Sequence, residues 1–276
     1  SINLRNHESG SLQLNIANVS QSSEKSTIRI GTWNAKRLGQ GKKEYSIFAR
    51  IIDENFDVIV LEEVMTSDGF YTLQKYLPID WMGAISSRSV GKNGYYEYYA
   101  VLYRKNLKLT SSKIINDSLD SWTRDPGLFC LKARNTDFCI VSVHIVFGDS
   151  IEERDKEISA LGNLLPKLTS AGSEKDYLLM GDFNRSPTPG FTSLLKNEYV
   201  FADGGTNKTT LGVRNYSNAY DHILLNKRYT SEWKQQNPIL VDIVSDYCAH
   251  DFSYCSTFVS DHIPVGIILD DTKDDD

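Results

Sequence analysis

The sequence predicts an α/β fold: a four-layer α/β sandwich of two packed mixed, mainly antiparallel sheets with helices outside. Three observations support this prediction. Short apolar, β-branched runs recur in both halves of the chain, and segments with helical spacing of apolar residues separate them. No sequence repeat or internal linker divides the chain. With 276 residues, 40% of them hydrophobic, the chain can bury one sizeable core.

The apolar periodicity assigns the elements in order. It predicts strands at residues 28–34 and 57–64, several strands within residues 95–145, and further strands near Met180, Tyr220, Ile239 and Val265. It predicts helices at residues 42–55, 68–76, 150–168 and 189–195. The first helix is the clearest, because Phe48, Ile51 and Ile52 recur on one face.

Composition divides the chain into three parts. Residues 1–26 are rich in Ser, Asn, Gln and Glu, which predicts a flexible N-terminal arm. Residues 27–270 are predicted to form a single domain, and residues 271–276 an acidic tail. The net charge of −6 argues against broad nonspecific attraction to nucleic acid, although basic residues such as Lys36 and Arg124 could still contact phosphates locally.

Polar side chains stand at the ends of the apolar runs. They are Asn34, Glu62 and Glu63, His144, Asp182 and Asn184, Asp221, and Asp261 and His262. Because buried charge is costly unless it is paired or metal-bound, the set suggests a hard divalent cation held by carboxylate and amide oxygens, with two imidazoles for proton transfer. Taken singly, residues 181–184 could be a turn, and the Asp-His before Pro264 a loop. No Cys/His grouping of zinc spacing and no Walker-type motif is present.

The motifs of the chain and their order along the sequence resemble the endonuclease/exonuclease/phosphatase superfamily, most closely its deoxyribonuclease I branch. The matching residues are Thr32-Trp33-Asn34, Leu61-Glu62-Glu63-Val64, Tyr95-Tyr96-Glu97, Val101-Leu102-Tyr103-Arg104, Arg124-Asp125-Pro126, Val143-His144, Gly181-Asp182-Phe183-Asn184, Tyr220-Asp221-His222 and Ser260-Asp261-His262-Ile263-Pro264-Val265. The resemblance implies a metal-dependent, sequence-nonspecific DNA endonuclease. Its cofactor would be Mg²⁺, with Mn²⁺ or Ca²⁺ as alternatives.

The resemblance also implies roles for individual residues. The implied catalytic residues are His262 as base with Asp221 orienting it, His144 paired with Glu97, and Asp182 and Asn184 at the attacking water. The implied metal ligands are Glu63, Asn34, Asp261 and Asp182. From the residues themselves we predict that Arg124, Tyr95, Asn93 and Lys36 bind the substrate. The alternative is that the tyrosines belong to the core and that Arg124 makes a structural ion pair. His222 matches no catalytic position and is expected at the surface or in packing.

Three departures from the deoxyribonuclease I pattern concern substrate contacts and one bridge. Met65 and Lys36 stand where that branch has arginines that contact phosphate. Its cysteine pair between the Gly-Asp-Phe-Asn and Tyr-Asp motifs is missing, because Ser186, Pro187 and Asn218 stand there.

Two other functions stay open. A sphingomyelinase-type lipid phosphodiesterase of the same fold would show an exposed aromatic hairpin, and tyrosines flank Glu97. Phosphoinositide phosphatases fit poorly, because their Cys-Asp-Arg element is replaced by Tyr220-Asp221-His222. A noncatalytic toxin-subunit or binding protein would have lost a catalytic residue, and none is lost.

The four cysteines fall into two pairs close in sequence, Cys130 with Cys139 and Cys248 with Cys255. Both pairs could be disulfides, which secretion would favour; four free thiols are the alternative. The chain starts at Ser1, as a processed protein would, and contains no apolar segment of membrane-spanning length. We therefore expect a secreted or periplasmic monomer.

Overall fold

The structure is a computed structural model that describes residues 26–272 and residue 274. Its strands are β1 (Thr27–Leu38), β2 (Val58–Val64), β3 (Trp81–Ile85), β4 (Val90–Lys92), β5 (Tyr95–Arg104), β6 (Lys108–Ile114), β7 (Gly127–Lys132), β8 (Asp137–His144), β9 (Tyr177–Asp182), β10 (Tyr199–Phe201), β11 (Asp221–Asn226), β12 (Ile239–Leu240) and β13 (Val265–Asp270). Its helices are α1 (Tyr45–Asn55), α2 (Ser67–Tyr76), α3 (Ile151–Ala171), a 3-10 turn (Pro189–Phe191), α4 (Thr192–Lys196), α5 (Ile243–Tyr247) and α6 (Phe252–Phe258).

The strands form two sheets. The seven-stranded sheet has the order β12-β13-β1-β2-β5-β3, with β4 also paired to β5, and the six-stranded sheet has the order β10-β11-β9-β8-β7-β6. Each sheet contains one parallel pair, β1 with β2 and β8 with β9, and its other pairs are antiparallel. This confirms the predicted mixed, mainly antiparallel sheets.

Apolar side chains of the two sheets share one core, and the helices cover the outer faces. Between the sheets lie fully buried residues such as Ile30, Phe129 and Met180. Ile158 and Leu161 of α3 belong to a separate apolar cluster, together with residues of the six-stranded sheet such as Val141. Burial of each such side chain contributes about 1.5–3 kcal/mol. The four-layer sandwich predicted from the sequence is therefore confirmed.

One predicted strand end is wrong. The apolar residues before Asp261 belong to α6 and its C-terminal cap, not to a strand, so Asp261 and His262 lie in the loop before β13. Helix α6 begins at Phe252 because the side chain of the preceding Asp251 accepts the backbone N–H of Tyr254, which satisfies one of the free donors of the first turn.

Both predicted disulfides are present. Cys130 and Cys139 are directly opposite each other on β7 and β8, so their bridge ties the predicted hairpin together. Cys248 and Cys255 join the end of α5 to α6. The four cysteines of the sequence are thereby all accounted for.

The two ends of the chain are described only in part. The predicted arm lies outside the described residues except for Ser26. In the tail, Asp271 accepts the backbone N–H of Asn135 through its carboxylate and the Asn135 side-chain amide through its backbone carbonyl. Among the described residues, every helix is too short or too polar to cross a bilayer. The boundaries of the single predicted domain stay a prediction.

Candidate active site

Residues from both sheets meet at an open cavity of about 450 Å³. The cavity is lined by Lys36, Arg37, Glu63, Tyr95, Arg124, His144, Phe147, Asp182, Asn184, Asp261 and His262. Asn34, Glu97 and Asp221 are buried, and each is bonded to one of these residues. The structure thus brings together all but one of the side chains that the sequence assigned to catalysis, metal and substrate.

The exception is Asn93. It is exposed at the tip of the hairpin between β4 and β5 and does not line the cavity. Its backbone adopts a left-handed conformation (φ 56°), which an asparagine tolerates in a tight turn. Its contact with substrate stays a prediction.

Carboxylates and imidazoles alternate across the base of the cavity. Nδ1 of His144 lies 2.9 Å from Oε1 of Glu97, and Nδ1 of His262 lies 2.8 Å from Oδ2 of Asp221. Nε2 of each ring lies 3.7 Å from the same oxygen, Oδ2 of Asp182. Two histidines, each oriented by its own buried acid, therefore point their second nitrogen at one carboxylate.

This arrangement controls the protonation of both rings. Burial favours neutral imidazoles, but the charge and hydrogen bonds of Glu97 raise the pKa of His144 above its usual value. Asp221 and Asp182 outweigh burial still more at His262 and raise its pKa well above the usual value. Burial raises the pKa of Asp182, with Asp221 adding to the effect. The site can therefore store a proton on either ring.

Glu63 and Asn34 form the side of the site that comes from the seven-stranded sheet. The Asn34 amide donates to Oε1 of Glu63 (3.1 Å) and to Oδ2 of Asp182 (3.0 Å), and the Arg37 N–H donates to Oε2 of Glu63 (3.0 Å). Glu63 has a left-handed backbone (φ 55°), a conformation that costs energy in a residue with a side chain and is found at functional sites.

Asn34 lies within β1, not at its end as the sequence suggested. The pairing of β1 with β2 shifts register between Asn34 and Leu38, and two of the three intervening residues, Lys36 and Arg37, have positive φ. This bulge turns Lys36 toward Asp261, whose Oδ2 lies 3.2 Å from the Lys36 ammonium. Lys36 also donates to the Ser256 carbonyl (2.8 Å), so it fixes the loop that carries Asp261.

The Gly-Asp-Phe-Asn segment needs its glycine. Gly181 has φ +144°, and a Cβ there would lie 1.9 Å from the Val143 carbonyl oxygen on the neighbouring strand. After it, the Asn184 N–H donates to Oδ1 of Asp182 (2.8 Å), and the Asn184 amide donates to the Ile145 carbonyl (2.9 Å). The segment therefore locks Asp182 and Asn184 in place.

Arg124 and Tyr95 form another wall of the cavity. Arg124 Nε lies 3.1 Å from Oε2 of Glu97, and its guanidinium carbon lies 5.0 Å from the centre of the Tyr95 ring. Burial disfavours the cation, but Glu97 outweighs it and raises the pKa of Arg124. Arg124 thus makes an ion pair and also lines the cavity, and its contact with substrate stays a prediction.

The donor set suits a hard divalent cation. Glu63, Asp261 and Asp182 present carboxylates to one cavity, and Asn34 supplies an amide beside them. Ligand atoms of Asp182, Asp221 and His262 lie within 4.8 Å of one another, close enough to share one ion. Oxygen ligands of this kind are those that Mg²⁺, Mn²⁺ and Ca²⁺ prefer, so the residues present fit the expected metal.

Glu62, the neighbour of Glu63, has a different environment. It is fully buried between the sheets and accepts the hydroxyls of Thr32 (2.7 Å) and Ser142 (3.2 Å). Burial raises its pKa well above the usual value, with Asp221 and Asp182 adding to the shift. Burial thus favours the neutral form of Glu62 in the core, whereas Glu63 faces the cavity.

His222 is buried, as its packing interpretation required. Its Nδ1 lies 3.0 Å from Oδ2 of Asp203, and its Nε2 lies 3.0 Å from the Arg185 carbonyl oxygen. The rings of Phe183, Phe191 and Phe201 surround it, with centres 5.2–5.8 Å away. Burial opposes its charge, but Asp203 raises the pKa of His222.

Sequence reasoning missed residues that support the site from behind. The Thr209 hydroxyl donates to Oδ2 of Asp221 (2.6 Å), and Arg154 donates to the Asn184 carbonyl (3.0 Å). Phe147, which lines the cavity, was also missed. No motif marks these residues, although Phe147 lies only three positions after His144.

A model of the endonuclease/exonuclease/phosphatase family matches residues 31–262, which span the site from the first strand to His262. The chain belongs to this family. It is 30% identical over 261 residues to a deoxyribonuclease of Thioalkalivibrio sp. (strain K90mix), covering 88% of this chain and 71% of the relative. It is 26% identical over 226 residues to deoxyribonuclease gamma of Rattus norvegicus, covering 72% of this chain and 71% of that relative.

A solved family structure is similar in fold. It is a 3′ phosphatase from Neisseria bound to a product DNA hairpin, with a TM-score of 0.63, 17% identity, and coverage of 88% of this chain and 99% of that chain. This likeness supports the fold alone. Together, the family match and the deoxyribonuclease relatives confirm the resemblance that the motifs indicated.

Proposed function

We propose that this chain is a divalent-metal-dependent phosphodiester hydrolase that cuts DNA as a sequence-nonspecific endonuclease, with Mg²⁺ as its cofactor. The observation that carries the proposal is the row Glu97–His144–Asp182–His262–Asp221, whose central Asp182 is joined through the Asn34 amide to Glu63. The family match and the relatives named deoxyribonuclease support it.

His262 is the proposed base for the attacking water. Asp221 accepts from its Nδ1 and so leaves Nε2 directed at the cavity, and Thr209 holds Asp221 in turn. In its neutral form the ring can take a proton from water through Nε2, and the Asp221 carboxylate that raises the pKa of His262 stabilises the imidazolium that results. Asp182 and Asn184 would position that water, because both face the same cavity.

His144 is the proposed group on the phosphate and leaving-oxygen side. Glu97 favours its protonated form, so Nε2 can donate to a phosphate oxygen or to the oxygen that leaves. Arg124 would add a charged donor for the phosphate and Tyr95 a ring for a sugar or base, since both line the cavity. Lys36 would contribute mainly by holding Asp261.

Glu63, Asn34, Asp261 and Asp182 would hold the cation. When bound, it offsets the negative charge of the phosphodiester and stabilises the charge of the transition state. The side chains themselves supply the orientation: Asn34 joins Glu63 to Asp182, and Lys36 and Ser256 fix the loop of Asp261.

The alternatives are less well supported. Of the four tyrosines around Glu97, only Tyr96 is exposed, which does not make the aromatic hairpin of a membrane-binding lipid phosphodiesterase. A noncatalytic role would not require every proposed catalytic side chain to be in place. Two disulfides fit an oxidising compartment, so we propose that the protein is secreted or periplasmic.

Plasmid cleavage tests the function. Supercoiled plasmid incubated with the protein and Mg²⁺ should be nicked and then degraded, and excess EDTA should abolish the reaction. Sphingomyelin hydrolysis measured in parallel should be absent. Cleavage that persists in EDTA, or hydrolysis of sphingomyelin with intact plasmid, would overturn the proposal.

A further inference from the structure

Phe147 is an exposed aromatic residue beside the catalytic groups. It lies in the loop between β8 and α3, and it lines the same cavity as His144 and Asp182. The residue is 58% exposed, although its ring is large and apolar. Single exposed apolar side chains are common in proteins, so exposure alone does not make a binding residue. Its loop, however, is unusually well fixed.

Three hydrogen bonds fix this loop to the first turns of α3. The Val146 N–H donates to Oε2 of Glu157 (2.9 Å), Arg154 Nε donates to the Phe147 carbonyl (2.6 Å), and the Asp149 N–H donates to Oε2 of Glu153 (3.2 Å). A loop held at three nearby positions presents its side chain in a defined direction. Contacts made by such a preorganised group lose less conformational entropy on binding.

Arg154 also supports the ring itself. Its guanidinium carbon lies 3.8 Å from the centre of the Phe147 ring, a stacking distance, while its Nη1 donates to the Asn184 carbonyl (3.0 Å). One face of the ring is therefore covered by a cation that is bonded to the catalytic segment. Because the residue stays 58% exposed, the other face is open to a flat ligand.

A second ring in the cavity is built in the same way. Tyr95 lies on β5 of the seven-stranded sheet, and its ring centre is 5.0 Å from the guanidinium carbon of Arg124. Phe147 follows β8 of the six-stranded sheet. The phosphodiester site thus has one arginine-backed aromatic ring from each sheet. An apolar ring offers nothing to a phosphate, but it stacks on the flat face of a nucleobase.

We propose that Phe147, supported by Arg154, is a stacking platform for a nucleobase next to the scissile phosphate. This rests on the proposed nuclease function. A base inside a duplex is already stacked on both faces, so the platform favours an unpaired nucleotide. The enzyme should therefore cut single-stranded or locally unpaired DNA with a lower KM than fully paired DNA.

Abasic scanning of a single-stranded oligonucleotide tests the platform. In this experiment the oligonucleotide keeps one cleavable phosphodiester among phosphorothioate linkages, so that an enzyme without sequence preference has one defined cut. One nucleotide at a time, on either side of that cut, is replaced by an abasic residue. The parent protein should show one position where loss of the base raises KM about fivefold or more, which equals about 1 kcal/mol at 1.4 kcal/mol per tenfold. That is the lower end of the loss expected for a base–aromatic stack.

Two variants and a control decide whether Phe147 is responsible. Phe147→Ala should raise KM on the intact oligonucleotide by the same factor, leave kcat within about twofold, and remove the penalty at the abasic position. Phe147→Trp should keep the parent pattern, because it keeps a flat ring. Leu195→Ala, at a residue 47% exposed on α4 and outside the cavity, should behave as the parent.

The outcomes separate the two proposals. If the parent cuts DNA and Phe147→Ala has the same KM and the same abasic profile as the parent, the platform is wrong while the nuclease function stands. If the parent cuts no DNA in Mg²⁺, the nuclease function fails first. If Phe147→Trp loses affinity as Phe147→Ala does, the ring packs against the loop and binds no base, and the platform is again wrong.

Discussion

Among the described residues, three histidines pair with a carboxylate through Nδ1 at nearly the same distance. Nδ1 of His262 lies 2.8 Å from Asp221, Nδ1 of His144 lies 2.9 Å from Glu97, and Nδ1 of His222 lies 3.0 Å from Asp203. The second nitrogen differs. Nε2 of His262 and His144 faces the cavity, whereas Nε2 of His222 lies against the Arg185 carbonyl oxygen inside a cluster of phenylalanines.

The difference shows that a buried acid beside a histidine does not by itself make a catalytic pair. All three pairs raise the pKa of the ring. In His222 both ring nitrogens are used within the fold, so the proton has nowhere to go. In the other two pairs one nitrogen is left for substrate or water. The same substitution at each histidine can test this distinction.

Among the histidine variants, the largest expected effect is on turnover. His262→Asn and His144→Asn keep an amide that can donate to the neighbouring acid in place of Nδ1–H, but they have no group in place of Nε2. Each should lower kcat by about 10²-fold or more, the usual scale for losing a positioned acid or base. Steady-state cleavage assays, with circular dichroism to verify folding, measure this; near-normal kcat in either folded variant would contradict the assigned role.

The next effect is on stability. His222→Asn leaves the buried Arg185 carbonyl without its donor and removes a ring from the phenylalanine cluster. An orphaned buried acceptor costs about 1–3 kcal/mol, and lost packing adds to this, so we expect about 2–4 kcal/mol less stability in urea unfolding. The kcat of the folded variant should stay within a few-fold of the parent. Parent-like stability with lost turnover would reverse the comparison.

The smallest effect is on pH dependence. Because the folded pKa of His222 is raised above the unfolded value of about 6.5, its charged form stabilises the protein fully below that pH, and this contribution is lost as pH rises through the folded pKa. The stability difference between parent and His222→Asn should therefore shrink from pH 6 toward alkaline pH. Urea unfolding at several pH values measures it, and a difference that does not change, or grows, would mean that His222 is buried neutral.

The proposed catalytic and metal-binding side chains that lie on strands could be predicted from the sequence. Glu63, His144 and Asp182 follow apolar runs whose length and β-branched composition fit buried strands, and these runs do form strands: β2 in the seven-stranded sheet, and the paired β8 and β9 in the six-stranded sheet. The side-chain order along the chain was enough to indicate a shared site. The disulfides were predictable for a similar reason, because a hairpin places Cys130 opposite Cys139.

The surroundings of Asp261 and His262 were not predictable in the same way. A run of apolar residues before them was interpreted as a strand, but Phe252–Phe258 forms a short helix with a capping aspartate. Seven residues are too few for periodicity to separate helix from strand. The short strands β4 and β10, of three residues each, fall below the same limit.

Contacts between distant residues that belong to no motif could not be predicted. Arg154 reaches Asn184 across 30 positions of sequence, and Thr209 reaches Asp221 from a loop without a motif. Both His222 and His262 stand next to an aspartate in the sequence, so the residues beside them do not distinguish the two rings. The family resemblance did distinguish them, and the contacts of Nε2 in the fold give the physical reason.

The central claim is that a metal-dependent site is built on Glu63 and not on its buried neighbour Glu62. Plasmid cleavage as a function of Mg²⁺ concentration, for Glu63→Gln and Glu62→Gln side by side, tests it most directly. Glu63→Gln should lower the rate by about 10³-fold or more, since metal catalysis is worth several kcal/mol. Glu62→Gln substitutes a neutral amide of the same size at a buried position outside the cavity, where burial already disfavours the charged acid, and should stay within a few-fold of the parent. Cleavage that survives Glu63→Gln, or that is lost equally in both variants, would contradict the account.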